Sequence, residues 1–363
     1  MGSLPRSIRI IIISAVVLSG LPSGLDLRGA EVRTVCASGG DFTKIQEAVQ
    51  AAAPGDTISV CPGEYKERVV IQKSVTLSGA GPTDVRILGG IVVAGVDLLV
   101  NLGGFTVAGG FNGIDVRGQT VGLIRNVVVT KNAADGISVL DASRVSLFNA
   151  IITENGTSRP PLEPIGSGLY IGGNARVSLA LSTLSKNIVD GITLNDRGSL
   201  EASVLTEISE NGKDGVAVCG ASQVSLQGVL ISGHAGGATT GGNGVFVADR
   251  GQAMIAGVTL TKNKRSGIQV GGFCGAGIGG APAVGVARAT ITHSTVTNNG
   301  GHGISVGSLL TSPLPGNEVE ADVQAFLNRI EGNGKCGIWV DSDARVDERD
   351  NLFSGNPGGD KCK

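Results

Sequence analysis

Residues 190–215 read DGITLNDRGSLEASVLTEISENGKDG, and this stretch contains one full period of the repeat that determines the fold. It begins and ends with Asp-Gly, and each of the two glycines is followed by an apolar, a variable and an apolar residue. The motif recurs at intervals of 23 to 36 residues, with its glycines at Gly113, Gly136, Gly168, Gly191, Gly215, Gly244, Gly267, Gly303 and Gly337. Such periods are typical of repeat architectures, in which a unit is stable only when stacked on its neighbours.

A second column of residues precedes these glycines and is almost entirely asparagine. Each member closes a segment such as VVVTKN, IITEN or VTLTKN. The members are Asn132, Asn155, Asn187, Asn211, His234, Asn263, Asn298, Asn333 and Asn356. Stacked at one turn, asparagine amides can donate to and accept from one another. We therefore expect this column to form a structural ladder.

The remaining residues of each period alternate between apolar and polar, as in RVSLFNAIIT at 144–153 and QVSLQGVLIS at 223–232. Strict alternation predicts short strands with one buried face. Successive periods then pair in parallel, about 4.8 Å apart. The sequence therefore predicts an all-β, single-stranded parallel β-helix of roughly 10–11 coils.

The composition agrees with a repetitive all-β protein. Hydrophobic residues make up 41% of the 363 residues, but aromatic residues only 3%, and glycine occupies 59 positions. The interior must therefore be built from aliphatic side chains, with glycine placing many of the turns. The formal net charge of −2 gives no basic face for nucleic acid, so no nucleic-acid partner is expected.

The N-terminal region divides into two predicted segments. Residues 1–30 combine Arg6 and Arg9 with a short apolar run, which predicts a signal peptide whose cleavage site stays open, and no stable membrane insertion after cleavage. Residues 31–57 contain an apolar set at helical spacing, Ile45, Val49 and Ala52. We expect an amphipathic helix there, begun by Asp41 or Thr43, that caps the β-helix of residues 58–363.

The six cysteines suggest disulfides in an exported protein, since their spacing does not fit a zinc site. Six cysteines allow 15 pairings. Cys36 with Cys61 is the first expectation, because both flank the capping segment, and Cys336 with Cys362 is the second, at about one repeat. Cys219 with Cys274 follows by elimination. We expect the protein outside the cytoplasm: secreted, at the cell surface or periplasmic.

The segment GGDFTKIQEAVQAAAPGDTISVCPGEYKERVVIQKSVTLSGAG at 39–81 resembles the opening of pectinesterases and of other members of the pectin-lyase-like right-handed β-helix superfamily. The repeats after it are similar to those of generic parallel β-helix repeat proteins. The resemblance covers roughly residues 34–360. It implies a right-handed coil, often with a carbohydrate site on one face.

The stretch GGHGISVGS at 300–308 resembles the histidine motif of polygalacturonases, and Asn187–Asp190, Lys213–Asp214 and Arg329–Glu331 partly match that family's other motifs. Lysine replaces one of the expected acidic residues, and glutamate replaces the final lysine. The glycine count places the histidine three coils beyond Asp214, about 14 Å along the axis, too far for a shared proton transfer. The catalytic motifs of pectinesterases and the DPHD motif of alginate epimerases are absent from the sequence.

The variable residue of each Gly-apolar-variable-apolar motif is expected to point outward. This outward column comprises Asp115, Ser138, Tyr170, Thr193, Ala217, Phe246, Gln269, Ser305 and Trp339. Insertions at 157–166, 235–243, 271–284 and 307–318 lie on both borders of these strands and would wall them into a groove. The predicted glycan-binding residues are Tyr170, Phe246, Trp339, Asp135 and His302.

Asp190 and Asp214 are the predicted catalytic residues, because carboxylates on adjacent coils suit a retaining glycosidase. An aspartate before glycine is also ordinary turn chemistry. Three hypotheses follow: binding of an extracellular polysaccharide with its processing left open, a non-catalytic surface or adhesive scaffold, and a polysaccharide hydrolase. If it is an enzyme, it is a glycoside hydrolase or another enzyme active on pectin- or alginate-type polysaccharides. A monomer with no cofactor and no metal is expected.

Overall fold

Each period of the sequence forms one coil of short strands, and the coils stack into a parallel β-helix in the computed structural model. The structure describes residues 29–159, 162–236, 241–274, 285–307, 321–342 and 344–363. The predicted signal peptide therefore lies outside the described residues except at its last two positions.

Apart from one helix, α1 (Ile45–Ala51), the elements are strands. The first are β1 (Val32–Val35), β2 (Thr57–Val60), β3 (Gly63–Tyr65), β4 (Val69–Ile71), β5 (Val75–Gly79), β6 (Val85–Leu88), β7 (Ile91–Ala108), β8 (Ile114–Thr130), β9 (Ile137–Val139), β10 (Arg144–Thr153), β11 (Thr157–Arg159) and β12 (Leu162–Ile165). Next come β13 (Leu169–Ile171), β14 (Arg176–Ala180), β15 (Thr183–Ser185), β16 (Ile192–Leu194), β17 (Ser199–Ala202), β18 (Glu207–Ser209), β19 (Val216–Val218), β20 (Gln223–Gln227), β21 (Leu230–Ser232), β22 (Val245–Val247), β23 (Gln252–Ala256) and β24 (Thr259–Thr261). The last are β25 (Ile268–Val270), β26 (Ala287–Thr292), β27 (Thr295–Thr297), β28 (Ile304–Val306), β29 (Ala321–Phe326), β30 (Arg329–Glu331), β31 (Ile338–Val340), β32 (Arg345–Arg349), β33 (Leu352–Ser354) and β34 (Lys361–Cys362).

Parallel pairing between coils arranges these strands in three faces that run the length of the molecule. Sheet A stacks β4, β7, β8, β9, β13, β16, β19, β22, β25, β28, β31 and β34. Sheet B stacks β1, β2, β5, β7, β8, β10, β14, β17, β20, β23, β26, β29 and β32, and sheet C stacks β3, β6, β7, β8, β10, β15, β18, β21, β24, β27, β30 and β33. The long strands β7 and β8 turn the corners and join all three sheets.

The interior is a continuous column of aliphatic side chains. In β13, Leu169 and Ile171 are fully buried and Tyr170 between them is partly exposed, and β16 and β22 repeat this arrangement. The predicted alternation of inward and outward residues is therefore confirmed. Because each coil buries its apolar residues against the coils above and below, the fold is stabilised by stacking.

A ladder of asparagine side chains runs along the corner between sheets C and A. Asn155 is typical, since its Oδ1 accepts from the backbone N–H and the Nδ2 of Asn132, while its own Nδ2 donates to the Oδ1 of Asn187. The residue before each ladder position has positive φ, which turns the chain: Lys131, Glu154, Lys186, Glu210, Gly233, Lys262, Asn298, Gly332 and Gly355. The predicted asparagine ladder is therefore confirmed, although two of its positions differ in detail.

Two ladder positions differ from a plain asparagine series. Asn298 was predicted as a member, but it occupies the positive-φ corner, and Asn299 forms the ladder bonds to Asn263 and Asn333. His234 replaces asparagine in one coil, where its Nδ1 accepts from the backbone N–H of Asn211. Burial lowers the pKa of His234 to about 4, so its ring is neutral at physiological pH.

The helix α1 begins at a different cap from the one predicted. Lys44 is the N-cap residue and its side chain makes no capping bond. Instead, the Glu67 carboxylate accepts from the backbone N–H groups of Ile45 and Gln46 at 2.8 and 2.9 Å. Asp41 accepts from the backbone N–H and hydroxyl of Thr34. A carboxylate from later in the chain thus caps the helix, which sequence spacing does not reveal.

The six cysteines form the three expected disulfides, Cys36–Cys61, Cys219–Cys274 and Cys336–Cys362. The first lies beside the N-terminal helix and the third joins the last coils. Among the described residues, no helix is long and apolar enough to cross a membrane.

Candidate functional site

Most side chains of the outward column of sheet A have little solvent exposure, although they point away from the interior. Ser305 is 0% exposed, and Ser138, Ala217 and Gln269 are also buried. Of the remaining members, Asp115 is buried against Arg117, with its carboxylate accepting from the Arg117 Nε at 2.9 Å. Four side chains stay partly exposed, and these offer a surface to a ligand: Tyr170, Thr193, Phe246 and Trp339.

The aromatic side chains of this column occur at every third strand of sheet A. Tyr170 lies on β13, Phe246 on β22 and Trp339 on β31, with two strands between each pair in the register. At about 4.8 Å per strand, neighbouring aromatic residues are about 14 Å apart along the axis. Three of the predicted glycan-binding residues are thus brought into one straight line, at equal intervals.

Glycines lie against two of these rings. A Cβ at Gly172 would come within 3.0 Å of the Tyr170 Cε1, and one at Gly272 would come within 3.5 Å of the Phe246 Cε2. At Gly172 the absence of a Cβ lets the Tyr170 ring lie close to the backbone, whereas a Cβ at Gly272 would make only an ordinary contact with the Phe246 ring. Trp339 instead contacts His302, with ring centroids 5.8 Å apart.

Asp190 and Asp214, the predicted catalytic pair, lie on adjacent coils, but each is only 6% exposed. The Asp190 Oδ1 accepts from the backbone N–H of Asp214 at 2.9 Å, and its Oδ2 accepts from the Thr193 hydroxyl at 2.8 Å. The Asp214 Oδ1 accepts from the backbone N–H and the Nδ2 of Asn243 at 2.7 and 3.0 Å. Each carboxylate therefore accepts a hydrogen bond from the backbone of the following coil.

Burial raises the pKa of both carboxyl groups. The pKa of Asp214 reaches about 7, because desolvation and then the neighbouring Asp190 disfavour its charged form. Burial likewise raises the pKa of Asp190. Perturbed carboxyl groups of this kind occur at catalytic sites and also in structural networks. The hydrogen bonds to the next coil favour the structural interpretation here.

Asp135 repeats the pattern two coils earlier. Its Oδ1 accepts from the backbone N–H of Ser167 at 2.9 Å, and burial raises its pKa to about 6. Asn112 and Asn243 bind the N–H of the next coil in the same way, through Asp135 and Ser266. The residues before the repeat glycines thus form a second polar ladder. Asp135 binds the next coil through this bond and, unlike Asp190 and Asp214, it remains partly exposed.

His302 lies on the same flank, three strands of sheet A beyond Asp214, as the sequence count predicted. Its Nδ1 accepts from the backbone N–H of Cys336 at 3.3 Å, and burial followed by the Lys335 charge lowers its pKa to about 4. Its ligand atoms and the sulfurs of Cys336 and Cys362 lie within 4.8 Å of one another, but both sulfurs belong to a disulfide. A metal is therefore not bound by the oxidised cluster.

The loops predicted to wall the groove are described only in part. Residues 237–240, 275–284 and 308–320 lie outside the described residues. In the first insertion, β11 and β12 pair in an antiparallel arrangement, and residues 160–161 between them lie outside the described residues. On the described residues, the site is a line of aromatic side chains on sheet A, bordered on one side by the polar ladder of the residues before the repeat glycines.

Comparisons with known proteins agree with this architecture. A family model described as a right-handed β-helix region matches residues 89–244. The structure is similar to the A-module of the mannuronan C-5 epimerase AlgE6 of Azotobacter vinelandii, with a TM-score of 0.63, 16% identity, and coverage of 88% of this chain and 94% of that chain. No curated protein sequence matches the chain.

Two further similar structures are named for different activities. PfbA, a surface adhesin of Streptococcus pneumoniae, has a TM-score of 0.55 and 14% identity, over 87% of this chain and 85% of that one. A mannuronic-acid-specific polysaccharide lyase from human gut microbiota has a TM-score of 0.51 and 10% identity, over 89% and 87%. These similarities confirm the right-handed parallel β-helix fold.

Proposed function

We propose that this protein binds an extracellular polysaccharide along sheet A, parallel to the helix axis, without cleaving it. The observation that carries the proposal is the regular line of Tyr170, Phe246 and Trp339 at every third strand. One sugar unit of an extended chain advances by about the rise of one coil. A bound chain would therefore present every third sugar to an aromatic ring, which stacks on the apolar face of a pyranose.

The buried carboxyl pair supports binding rather than hydrolysis. A retaining glycosidase needs one free carboxylate to attack and one carboxylic acid to protonate the leaving group. In this protein Asp190 and Asp214 are covered and accept hydrogen bonds from the following coil. Polysaccharide-directed enzymes and an adhesin among the similar structures, together with the three disulfides, support a protein that meets glycans outside the cytoplasm.

The first test measures binding and chain length together. Purified protein is mixed with mannuronan, polygalacturonate, xylan and soluble cellulose derivatives, and binding is followed by affinity electrophoresis while polymer size is followed by gel filtration. We expect retardation by at least one polymer with no change in its size. Phe246→Ala should weaken binding about tenfold, which corresponds to roughly 1.4 kcal/mol.

Phe111→Ala is the matched control, because Phe111 is 70% exposed and does not belong to sheet A. It should bind like the unaltered protein. If the unaltered protein shortens a polymer and Asp190→Asn does not, the hydrolase hypothesis replaces the proposal. Failure to retard any polymer would leave the scaffold hypothesis in its place.

A further inference from the structure

A shallow cavity of about 480 Å³ lies on the outer face of sheet B, on a different side of the coils from the aromatic line. It spans the strands β8, β10, β14, β17 and β20, whose pairing is continuous. Its outward lining residues are Leu123, Arg125, Ser146, Phe148, Ser178, Ala180, Glu201, Ser203, Ser225 and Gln227. None of them was singled out in the sequence. We refer to this cavity as the sheet B basin.

The basin exists because small side chains occupy consecutive coils of one face. Ser146 and Ser178 pair across β10 and β14 and share a hydrogen bond of 3.0 Å between their hydroxyls. Ala180 follows Phe148 in the neighbouring column of the same register. Larger side chains interrupt these columns, with Arg125 beside Phe148 at the β8 end and Glu201 beside Ser178 on β17. Ser225 and Gln227 on β20 lie beyond Glu201.

The side chains that line the sheet B basin favour a sugar as the ligand. The floor carries serine hydroxyls that can both donate and accept, as the hydroxyl groups of a sugar require. Phe148 is 47% exposed and offers a ring face to the apolar side of a pyranose. One cation and one anion, Arg125 and Glu201, leave the basin without net charge. A protein partner would instead favour a larger apolar centre.

The dimensions agree with a short oligosaccharide. Five strands at about 4.8 Å per step give a length of about 19 Å, which accommodates roughly four sugar units lying along the axis. Four of the five coils present hydroxyl or amide groups outward, through Ser146, Ser178, Ser203, and Ser225 with Gln227. A polyuronate would bring several carboxylates towards a single arginine, so a neutral chain fits better.

We propose that the sheet B basin is a second glycan site that binds a neutral oligosaccharide of about four units. It uses different residues from the site proposed on sheet A, so either can fail without the other. Two faces that bind glycan would let one rod link two polymer chains, or two segments of one chain.

The test fills the basin and leaves the rest of the face unchanged. Ala180→Trp places an indole in the basin, and Ala256→Trp is its matched control. Ala256 lies in the same outward column on β23, one strand beyond Gln227 at the end of the basin, and like Ala180 it is half-buried. Both changes are made in a background carrying Tyr170→Ala, Phe246→Ala and Trp339→Ala, which removes the aromatic line of sheet A.

The probes are cellotetraose, xylotetraose, tetramannuronate and tetragalacturonate, and binding is measured by saturation-transfer NMR and calorimetry. We expect the background variant to bind a neutral tetrasaccharide, with affinity reduced at least tenfold by Ala180→Trp and unchanged by Ala256→Trp. Phe148→Ala, a truncation that leaves the floor intact, should also weaken binding. Absence of binding in the background variant, binding of the uronates only, or equal loss from both tryptophan variants would overturn the proposal.

Discussion

Sheets A and B are built from the same coils, yet their outer faces differ in exposure and in chemistry. On sheet A the outward Ser138 and Ser305 are buried, and the neighbouring aspartates accept backbone hydrogen bonds from the next coil. On sheet B the outward Phe148 and Met254 are 47% and 65% exposed. Position on the outside of a strand therefore does not give solvent access, which depends on the turns and side chains that border the strand.

This difference separates two kinds of polar residue in the repeat. Those beside sheet A hold one coil to the next and have lost contact with water, so their removal or ionisation should change stability. Those on sheet B remain in water and should be replaceable. The two predictions below use one residue from each side.

The largest expected effect comes from the asparagine ladder. Asn187→Ala removes an Oδ1 that accepts from Asn155 and an Nδ2 that donates to Ile152 and Asn211, and it leaves their buried groups unpaired. The free energy of unfolding should fall by about 3 kcal/mol. Urea unfolding followed by circular dichroism measures it.

Asn101→Ala is the control for the ladder, because Asn101 is exposed on sheet B and makes one hydrogen bond of 3.4 Å, to Thr76. Its free energy of unfolding should stay within about 0.5 kcal/mol of the unaltered protein. Equal losses in the two variants would remove the distinction between the faces.

A smaller effect is expected from the buried carboxyl pair. In the folded protein the pKa of Asp214 is raised to about 7, so the folded state binds more protons than the unfolded state between about pH 4 and pH 7. This contribution to stability is complete below about pH 4 and is lost as the pH rises through 7. Asp214→Asn should therefore stabilise the protein at pH 8 by about 2 kcal/mol and change little at pH 4.

Thermal unfolding at pH 4, 6 and 8 measures this effect. Glu201→Gln provides the comparison, because this carboxylate is exposed on sheet B and stays in water in both states. As a substitution on an exposed strand face, it should change the free energy of unfolding by less than about 0.5 kcal/mol. A destabilised Asp214→Asn variant at pH 8 would show that the ionised carboxylate itself stabilises the ladder.

The fold could be predicted from the sequence because the residues that determine it recur in every coil. The repeat glycines, the asparagine column and the alternating segments each specify a local conformation, and stacking is the arrangement that satisfies all three. Two cysteine pairs were predictable from their places in the chain, and the third, Cys219–Cys274, followed by elimination. The helix cap was not predictable, because Glu67 lies 22 residues beyond the N–H group of Ile45 that it accepts from.

The alignment of the aromatic residues on one sheet was predictable from the sequence, but the exposure of the candidate residues was not. Tyr170, Phe246 and Trp339 were identified as one column, and their spacing at every third strand follows from the register. The burial of Asp190 and Asp214 depends on residues around them in neighbouring coils, which a pattern along one coil does not contain. The sheet B basin likewise arises from the sizes of side chains on five strands.

The most direct measurement uses Trp339, the chain's single tryptophan, as a reporter on the aromatic line. Its fluorescence is titrated with hexasaccharides of the polymer that the protein binds, long enough to span two aromatic residues. The account predicts a saturable change in emission that survives Phe148→Ala and weakens in Phe246→Ala. Unchanged Trp339 emission while calorimetry records hexasaccharide binding would place the polysaccharide elsewhere and contradict the proposed use of sheet A.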